Sequence, residues 1–284
     1  MKIGSLISGI GAASLSAMAA NAQDGINGLE RVGKPVPGGI DFQPAVTSVA
    51  RDLHFLDHMV FIIITLIVLF VTGLILYAVF KFSAKNNPTP ATFTHNSTVE
   101  VAWTVIPIII LIVIGSFSLP QLFRQLEVPE PDLTIKITGY QWFWEYNYPD
   151  DDIFFESYML AKDELADYGY MDDEYLLATD NAVVVPVNAV VELLITGGDV
   201  IHSWKIPAFG VMQDAVPGRL ASSWFKAERE GLYFGQCSEL CGKDHSYMPI
   251  VVKVVSQEAY DEWHDYALEE FAGKPRDMNL ASAD

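Results

Sequence analysis

The chain has 284 residues, of which 51% are hydrophobic, so it can form one or two domains with a sizeable core and still supply membrane-spanning segments. Its two cysteines are too few for a disulfide-stabilised scaffold. The formal net charge of −19 at pH 7 argues against nucleic acid as a partner, because an acidic surface does not attract a phosphate backbone.

The N-terminus has the pattern of a secretory signal peptide over residues 1–22. Lys2 gives a short positive region, an apolar stretch of small residues follows, and Ala20-Asn-Ala22 offers a cleavage site. We therefore predict a mature chain that begins at Gln23, with an uncleaved, disordered tail as the alternative. The Gly- and Pro-rich residues 23–50 are predicted to be extended, with no core of their own.

Two long apolar segments predict a transmembrane helix hairpin over residues 51–123. The segments Met59 to Phe80 and Val101 to Leu119 carry no charge, and each is close to the roughly 20 residues that a helix needs to cross the hydrocarbon. A buried hairpin of a soluble protein is the alternative, but such helices are rarely apolar on all sides. The connection from Lys81 to Asn96 contains two lysines and no acid, so the positive-inside rule places it in the cytoplasm. The domain that follows the hairpin is therefore expected in the periplasm.

The second half of the chain changes to a pattern of short strands. The predicted strands cover Leu133 to Thr138, Ala182 to Val187, Val190 to Thr196, Trp224 to Phe234 and Ile250 to Val255. Short strands separated by turns are typical of an all-β sandwich or barrel, which we assign to residues 124–256. Between strands, Ala161 to Tyr168 is predicted to form a short helix. Ser256 is a candidate N-cap, and the helical spacing from Glu258 to Phe271 predicts a C-terminal helix and tail over residues 257–284.

Five residues near the end of this domain are soft or borderline metal ligands. Cys237 and Cys241 are separated by three residues, His245 and Met248 follow them, and His202 precedes them. Thiolate, imidazole and thioether ligands suit copper far better than magnesium or calcium. The set contains too many sulfurs for a carrier with a single copper ion.

Two thiolates at this spacing can face one centre, and each sulfur can bridge two metal ions. We therefore predict a binuclear copper site with His202 and His245 as terminal ligands. Met248 and the backbone carbonyl of Glu239 can be weak axial ligands. Because no open coordination position remains, such a site is suited to electron transfer and not to substrate chemistry.

Other interpretations of these residues stay open. Two cysteines in an exported domain usually form a disulfide. A zinc site would use cysteine, histidine and carboxylate ligands and would leave the methionine without a role. A methionine at such a position usually fills a core. The joint spacing of the five residues, together with the membrane anchor, favours copper.

These residues resemble subunit II of the haem–copper cytochrome c oxidases. The resemblance is carried by the run Phe234-Gly-Gln-Cys237-Ser-Glu239-Leu-Cys241-Gly with His245 and Met248, and by Val200-Ile-His202-Ser-Trp204. It extends from about Phe42 to about Glu262 and includes Gly139-Tyr-Gln-Trp142-Phe-Trp144 and Asp214-Ala-Val-Pro-Gly-Arg219. The resemblance implies an N-terminal two-helix transmembrane hairpin followed by an all-β cupredoxin-like Greek-key barrel, with copper held in loops at one end.

The resemblance also implies how electrons reach this site. Trp142 matches the tryptophan at which electrons enter from a docked haem protein. In a strand, one face would carry Tyr140, Trp142, Trp144, Tyr146 and Tyr148, and we expect most of these aromatic residues to pack in the core. Glu156, Asp180 and Asp199 match positions that dock cytochrome c. The acidic excess of the exported domain would steer such a basic partner, with simple solubility as the alternative.

Two more carboxylates match family positions. The side chain of Glu239 is expected to point toward a magnesium ion shared with subunit I, and this ion would need further ligands from the partner chain. Glu100, at the cytoplasmic start of the second membrane helix, matches the entrance of a proton path into subunit I. Its alternative is a solvated acid at the membrane interface.

The predicted function is that of the subunit at which electrons enter a proton-pumping cytochrome c oxidase, an oxidoreductase and translocase. The chain would accept electrons from cytochrome c at the binuclear copper centre and pass them to the haem centres of subunit I, where oxygen is reduced to water. We expect subunits I and III as partners in a bacterial inner membrane. A quinol oxidase subunit of the same fold would lack the copper ligands. A membrane-anchored periplasmic copper carrier or chaperone is the second alternative.

Overall fold

The structure, a computed structural model, describes residues 24–273. The predicted signal peptide, the predicted start of the mature chain at Gln23 and the tail after Gly273 lie outside the described residues.

Two long helices form the predicted hairpin. Helix α1 spans Ser48–Lys81 and helix α2 spans Ser97–Leu126. Both are long and apolar enough to cross a bilayer, and their most apolar windows are not buried inside the described structure. Arg124, near the end of α2, donates to Asp52, near the start of α1, at 2.7 Å. The two helices are therefore antiparallel, and their outer ends lie together on the side of the β domain.

The β domain consists of ten strands in the described residues, followed by one helix. The strands are β1 Leu133–Tyr140, β2 Phe143–Tyr148, β3 Ile153–Ser157, β4 Val183–Pro186, β5 Val190–Gly197, β6 His202–Ile206, β7 Val211–Ala215, β8 Ala221–Lys226, β9 Gly231–Gln236 and β10 Pro249–Val255. Helix α3 spans Gln257–Phe271. Its N-cap is Ser256, as predicted, since the Ser256 side chain accepts from the Ala259 N–H.

The strands form three sheets around one core. The first sheet has the order β3-β2-β1-β5-β8, the second β4-β10-β9, and β6 pairs with β7. The pairs β1–β5 and β4–β10 are parallel, and the other pairs are antiparallel. One buried cluster contains Ile137 of the first sheet, Val252 of the second and Trp204 of the third. The predicted fold class of a two-helix hairpin and an all-β domain is confirmed, with strands that surround a shared core without closing fully into one barrel.

Two predicted elements differ from the structure. Residues Ala161 to Tyr168 form consecutive turns, with bonds such as Glu164 N–H to the Ala161 carbonyl, and no helix. So short a helix is marginal without packing support, and here Leu165 anchors the turns by packing on Leu160 and Ala178. The single run predicted from Trp224 to Phe234 is divided between β8 in the first sheet and β9 in the second. The chain changes sheets before Gly231, whose φ of +154° few side chains could adopt.

The aromatic run is also divided. Strand β1 ends at Tyr140, and β2 begins at Phe143, which is the register partner of Tyr140 across the hairpin. Trp144, Tyr146 and Tyr148 share a buried face, as predicted, but Tyr140 and Trp142 are not part of that strand. The hairpin turn thus places Trp142 at one end of the domain instead of in the core.

The segment before α1 is extended and packs on the β domain. Val32 and Val46 are buried in the main core, and Gly33 forms a β-bridge with Tyr233. Lys253 of β10 is buried and paired with Asp24, at 2.8 Å from Oδ1. This segment therefore contributes to the core of the domain that lies after the hairpin.

Candidate metal centre

The proposed ligands come from two neighbouring loops at one end of the domain. His202 is the first residue of β6, and Cys237 to Met248 form the connection between β9 and β10. The Cys237 N–H donates to the Met248 carbonyl at 3.1 Å, which closes the connection at its base. The Ser238 N–H donates to the Ser203 carbonyl at 2.9 Å, which fastens the connection to β6.

The two thiols face each other, and each has an imidazole beside it. The Sγ atoms of Cys237 and Cys241 are 3.9 Å apart, and both cysteines are free. Nδ1 of His202 lies 3.9 Å from the Cys237 sulfur, and Nδ1 of His245 lies 3.5 Å from the Cys241 sulfur. The structure thus brings together the four residues that the sequence analysis proposed as the strong ligands.

The two weaker candidate ligands are also at this site. The Glu239 carbonyl oxygen accepts from the Cys237 thiol at 3.4 Å. Met248 is buried in the main core, with its backbone bonded to Cys237. Met248 therefore packs in the core in addition to lying beside the candidate metal site.

Burial and hydrogen bonding act in opposite directions on the two thiols. Burial would raise the pKa of Cys237, but hydrogen bonds with His202 and with nearby backbone groups lower it below the usual range. Burial and the neighbouring Cys237 charge raise the pKa of Cys241. Cys237 is therefore the thiol that deprotonates first when no cation is present.

His202 is held in one orientation by Asp199. The Asp199 carboxylate lies 2.8 Å from Nε2 of the fully buried His202 ring. Because the acceptor is a carboxylate, Nε2 carries the proton and Nδ1 presents its lone pair to the thiols. Burial alone would lower the pKa of His202, but Cys237 and Asp199 together raise it. From the sequence, Asp199 is predicted only as a docking residue. Its position three residues before His202 is the available signal for this contact.

Trp142 lies against the connection between β9 and β10. A Cβ atom placed on Gly242 would lie 3.1 Å from the Trp142 ring, and the φ of +127° at this position is one that other residues rarely adopt, so glycine suits this close approach. The adjacent Gln141 side chain donates to the Cys241 carbonyl at 2.8 Å, and Lys243 Nζ lies 5.3 Å from the centre of the Trp142 ring. The half-buried indole is therefore next to the residue that follows Cys241.

The remaining predicted residues lie outside the metal cluster. Glu156 accepts from the Tyr158 hydroxyl at 2.6 Å, and Asp180 accepts from the Tyr158 N–H at 2.7 Å, so these two acids form one group. Burial raises the pKa of Asp180, although backbone donors partly oppose the shift. The Glu239 residue is exposed. Glu100 is in the first turn of α2, where its side chain accepts from the Asn96 N–H at 3.3 Å.

The donor set fits copper. Because a thiolate–metal bond is about 2.3 Å long, two sulfurs bound to one ion can be at most about 4.6 Å apart. The observed 3.9 Å separation meets this condition, and His202, Cys237 and Cys241 offer ligand atoms that all lie within 4.8 Å of one another. Two soft sulfurs with imidazoles on both sides favour copper over hard cations.

Comparisons with known proteins show which family this chain is similar to. Residues 35–121 match the family model for the transmembrane domain of cytochrome c oxidase subunit II, and residues 133–255 match that for its periplasmic domain. The chain is 57% identical over 267 residues to cytochrome c oxidase subunit 2 of Cereibacter sphaeroides, which covers 89% of this chain and 88% of that relative. It is 47% identical over 231 residues to a probable cytochrome c oxidase subunit 2 of Rickettsia felis, covering 81% and 72% of the two chains.

One solved structure matches the β domain in sequence. The crystal structure of the periplasmic domain of cytochrome oxidase subunit II from Bradyrhizobium japonicum is 50% identical to this chain. The match covers 51% of this chain and 100% of that one, with a TM-score of 0.47.

Proposed function

Since the chain belongs to the cytochrome c oxidase subunit II family, we propose that His202, Cys237, Cys241 and His245 hold two copper ions. The chain is the membrane-anchored subunit at which electrons enter such an oxidase, and its β domain is periplasmic. The copper carrier considered from the sequence is not favoured by this membership. The observation that carries the proposal is the buried thiol pair, with sulfurs 3.9 Å apart and one imidazole beside each.

The residues of this chain prepare the site in several ways. Burial of the two cysteines and of His202 limits the access of water. Asp199 fixes the tautomer of His202, so its free nitrogen is directed at the thiols. Met248 and the Glu239 carbonyl supply two weaker donors. Bound copper would supply one-electron redox chemistry, for which a rigid and nearly dry ligand set is favourable.

Copper content and the spectrum of the full chain test this ligand set. Cys237→Ser and Cys241→Ser each remove a bridging thiolate, so we expect neither variant to hold two coppers that share one unpaired electron. Met248→Leu should keep both coppers and change only the spectrum, because a thioether is the weakest ligand of the set. A parental site that contains zinc, or one copper beside a Cys237–Cys241 disulfide, would contradict the proposal.

We assign the docking of the electron donor to the acidic surface near Trp142. Glu156 and Asp180 are grouped at Tyr158, and Asp199 accepts from the Gln141 N–H at 2.8 Å, beside Trp142. A basic cytochrome c fits these charges, and its haem edge would come close to the indole. Rim charges of this kind act mainly on association.

The exposed acid Glu239 is proposed to face subunit I. Its carboxylate is a hard ligand suited to a magnesium ion shared with that subunit. We further propose Glu100 as the entrance of a proton path into subunit I, subunit III as a further partner, and the bacterial inner membrane as the location. The support for these assignments is family membership and the position of each residue in the fold.

A further inference from the structure

We propose that a cleft at the periplasmic membrane surface binds one anionic phospholipid. This site is separate from the electron-transfer function. The cleft has a volume of about 640 Å³ and lies between the loop at residues 34–44, the first turns of α1 and the β6–β7 hairpin. We call it the interfacial cleft, and the lining residues that matter are Phe42, Gln43, Leu53, His54, Lys205 and Met212.

The walls of the interfacial cleft are fixed to one another. The Thr47 hydroxyl donates to the Phe209 carbonyl at 2.7 Å, and the Val46 N–H donates to the Ala208 carbonyl at 3.1 Å. A Cβ atom on Gly210 would lie 2.8 Å from Ala50 Cα, so the hairpin touches the helix backbone. These contacts fix α1 and the β6–β7 hairpin relative to each other, so the cleft between them is a fixed part of the folded domain.

The depth of the interfacial cleft matches the headgroup layer. The uncharged part of α1 begins at Met59, five residues after His54. At 1.5 Å per residue this places His54 about 7.5 Å outside the hydrocarbon. The polar layer on each side of a bilayer is on the order of 5–7.5 Å thick, so His54 lies at its outer edge. A lipid headgroup can therefore reach His54 while its acyl chains run along α1.

The interfacial cleft has polar atoms that need a partner. Gln43 Oε1 and His54 Nε2 are buried without a hydrogen-bond partner among the described residues. Lys205 also has no charged or hydrogen-bonding side-chain partner in the described part of the chain. Orphaned buried polar atoms are costly, so a ligand that satisfies them would bind favourably. A phosphodiester in the interfacial cleft can accept from Lys205. The buried His54 and Gln43 atoms would bond to a headgroup once their side chains turn toward the cleft.

The rest of the lining and the surrounding charge favour the same ligand. Phe42 and Met212 are more than half exposed and would be covered by an acyl chain. Lys34, the other lysine of the lining, is already paired with Asp173. Asp41 is the acid of the lining, and its carboxylate lies 3.7 Å from His58 Nε2. Because the domain is strongly acidic overall, an anionic headgroup is repelled elsewhere and attracted to Lys205. These features together indicate phosphatidylglycerol and not a zwitterionic lipid.

Native mass spectrometry of the full chain in detergent, titrated with phosphatidylglycerol or phosphatidylcholine, tests the proposal. We expect one phosphatidylglycerol per chain, bound more tightly than phosphatidylcholine. Lys205→Gln should weaken it about fivefold, as expected for one basic residue at a membrane surface. Met212→Ser should weaken both lipids, because it acts on the acyl chain. Lys162→Gln, which removes an exposed lysine outside the cleft, is the matched control and should bind like the parent.

Four results would overturn the proposal. Equal binding of the two lipids, or equal binding by Lys205→Gln and the parent, would exclude a specific anionic-lipid site. Displacement of the lipid by glycerol phosphate at equal concentration would show a site for free phosphate esters. A photo-crosslinker at position 212 that labels a protein segment in membranes, and no lipid, would show that the interfacial cleft is a subunit contact. Each variant is used only if its melting temperature equals that of the parent. If Lys205→Gln does not fold, the comparison of the two lipids on the parent still decides whether the site prefers an anionic headgroup.

Discussion

Asp199 has two roles, and both depend on its carboxylate. Its carboxylate accepts from Nε2 of His202 at 2.8 Å and from the Gln141 N–H at 2.8 Å, and it is also an acid on the proposed docking surface. Desolvation opposes the charge, but these donors lower the pKa of Asp199 below its ordinary value. Asp199 is therefore ionised at neutral pH and both orients a ligand and contributes to the surface charge.

Asp199→Asn and Asp180→Asn separate these two roles. Each variant removes one acid, so both should weaken the association of cytochrome c to a similar extent. Only Asp199→Asn should also weaken copper binding and shift the copper spectrum. The neutral amide oxygen of asparagine is a weaker acceptor for the Nε2–H of His202 than the carboxylate is. A loss of roughly 10–100-fold in metal affinity is typical when such an orienting partner is removed. If both variants left the copper spectrum unchanged, Asp199 would be a docking residue only.

Glu100 can be tested in the same way, by matching the substitution to its contact. Its side chain accepts from the Asn96 N–H, which completes the N-terminal cap of α2. Gln keeps this hydrogen bond but cannot carry a proton, whereas Ala loses both. If Glu100 transfers protons into the path, Glu100→Gln should slow oxygen reduction by the assembled oxidase about as much as Glu100→Ala. If Glu100→Gln kept the full rate of oxygen reduction and only Glu100→Ala lowered it, the role of Glu100 would be to cap the helix and not to transfer protons.

At the scale of elements, the segment before α1 stabilises the β domain, although it is not a strand of any of the three sheets. Asp24 neutralises Lys253, which is almost fully buried in β10. Burial lowers the pKa of Lys253, and the Asp24 charge opposes this shift. The lysine therefore depends on a partner from a distant part of the chain.

We expect Asp24→Asn to destabilise the protein by about 3 kcal/mol, because removal of one partner leaves a buried charge uncompensated. Adding Lys253→Met to Asp24→Asn should recover much of this loss. The control is Glu30→Gln, which breaks the exposed pair with Arg229 and should cost less than about 1 kcal/mol. Chemical denaturation measures all three variants. Equal effects of Asp24→Asn and Glu30→Gln would show that the buried pair has no special importance.

Periodicity and residue spacing predicted most elements and the four side chains that lie together at the candidate metal site. The uncharged runs identified both long helices, and the Cys237 to Met248 spacing identified the thiol pair. What failed depended on tertiary contacts. Whether Ala161 to Tyr168 winds into a helix depends on packing at Leu165, and no local pattern marks the change of sheet before Gly231. The contact between Asp199 and His202 was within reach of the sequence, but the family resemblance implied only docking for Asp199.

At the scale of the whole molecule, charge and membrane anchorage are separated along the chain. The residues before Arg124 contain equal numbers of acids and bases, so the full net charge of −19 belongs to the remainder. That remainder is the β domain with its C-terminal helix and tail. The anchor thus holds an acidic domain at the membrane surface, where at physiological salt its field extends on the order of 8 Å. Such a field is suited to a soluble basic donor.

The most direct test of the central claim is stopped-flow reduction of the copper-loaded chain by cytochrome c at several ionic strengths. We expect fast, salt-sensitive reduction of the parent. Glu156→Gln with Asp180→Asn should flatten the salt dependence, at about 0.2–1 kcal/mol for each charge pair formed with the donor. Trp142→Phe should keep the salt dependence and slow electron transfer within the docked complex. Reduction that is independent of salt, and unchanged in rate by Trp142→Phe, would contradict the conclusion that electrons enter the oxidase at this surface.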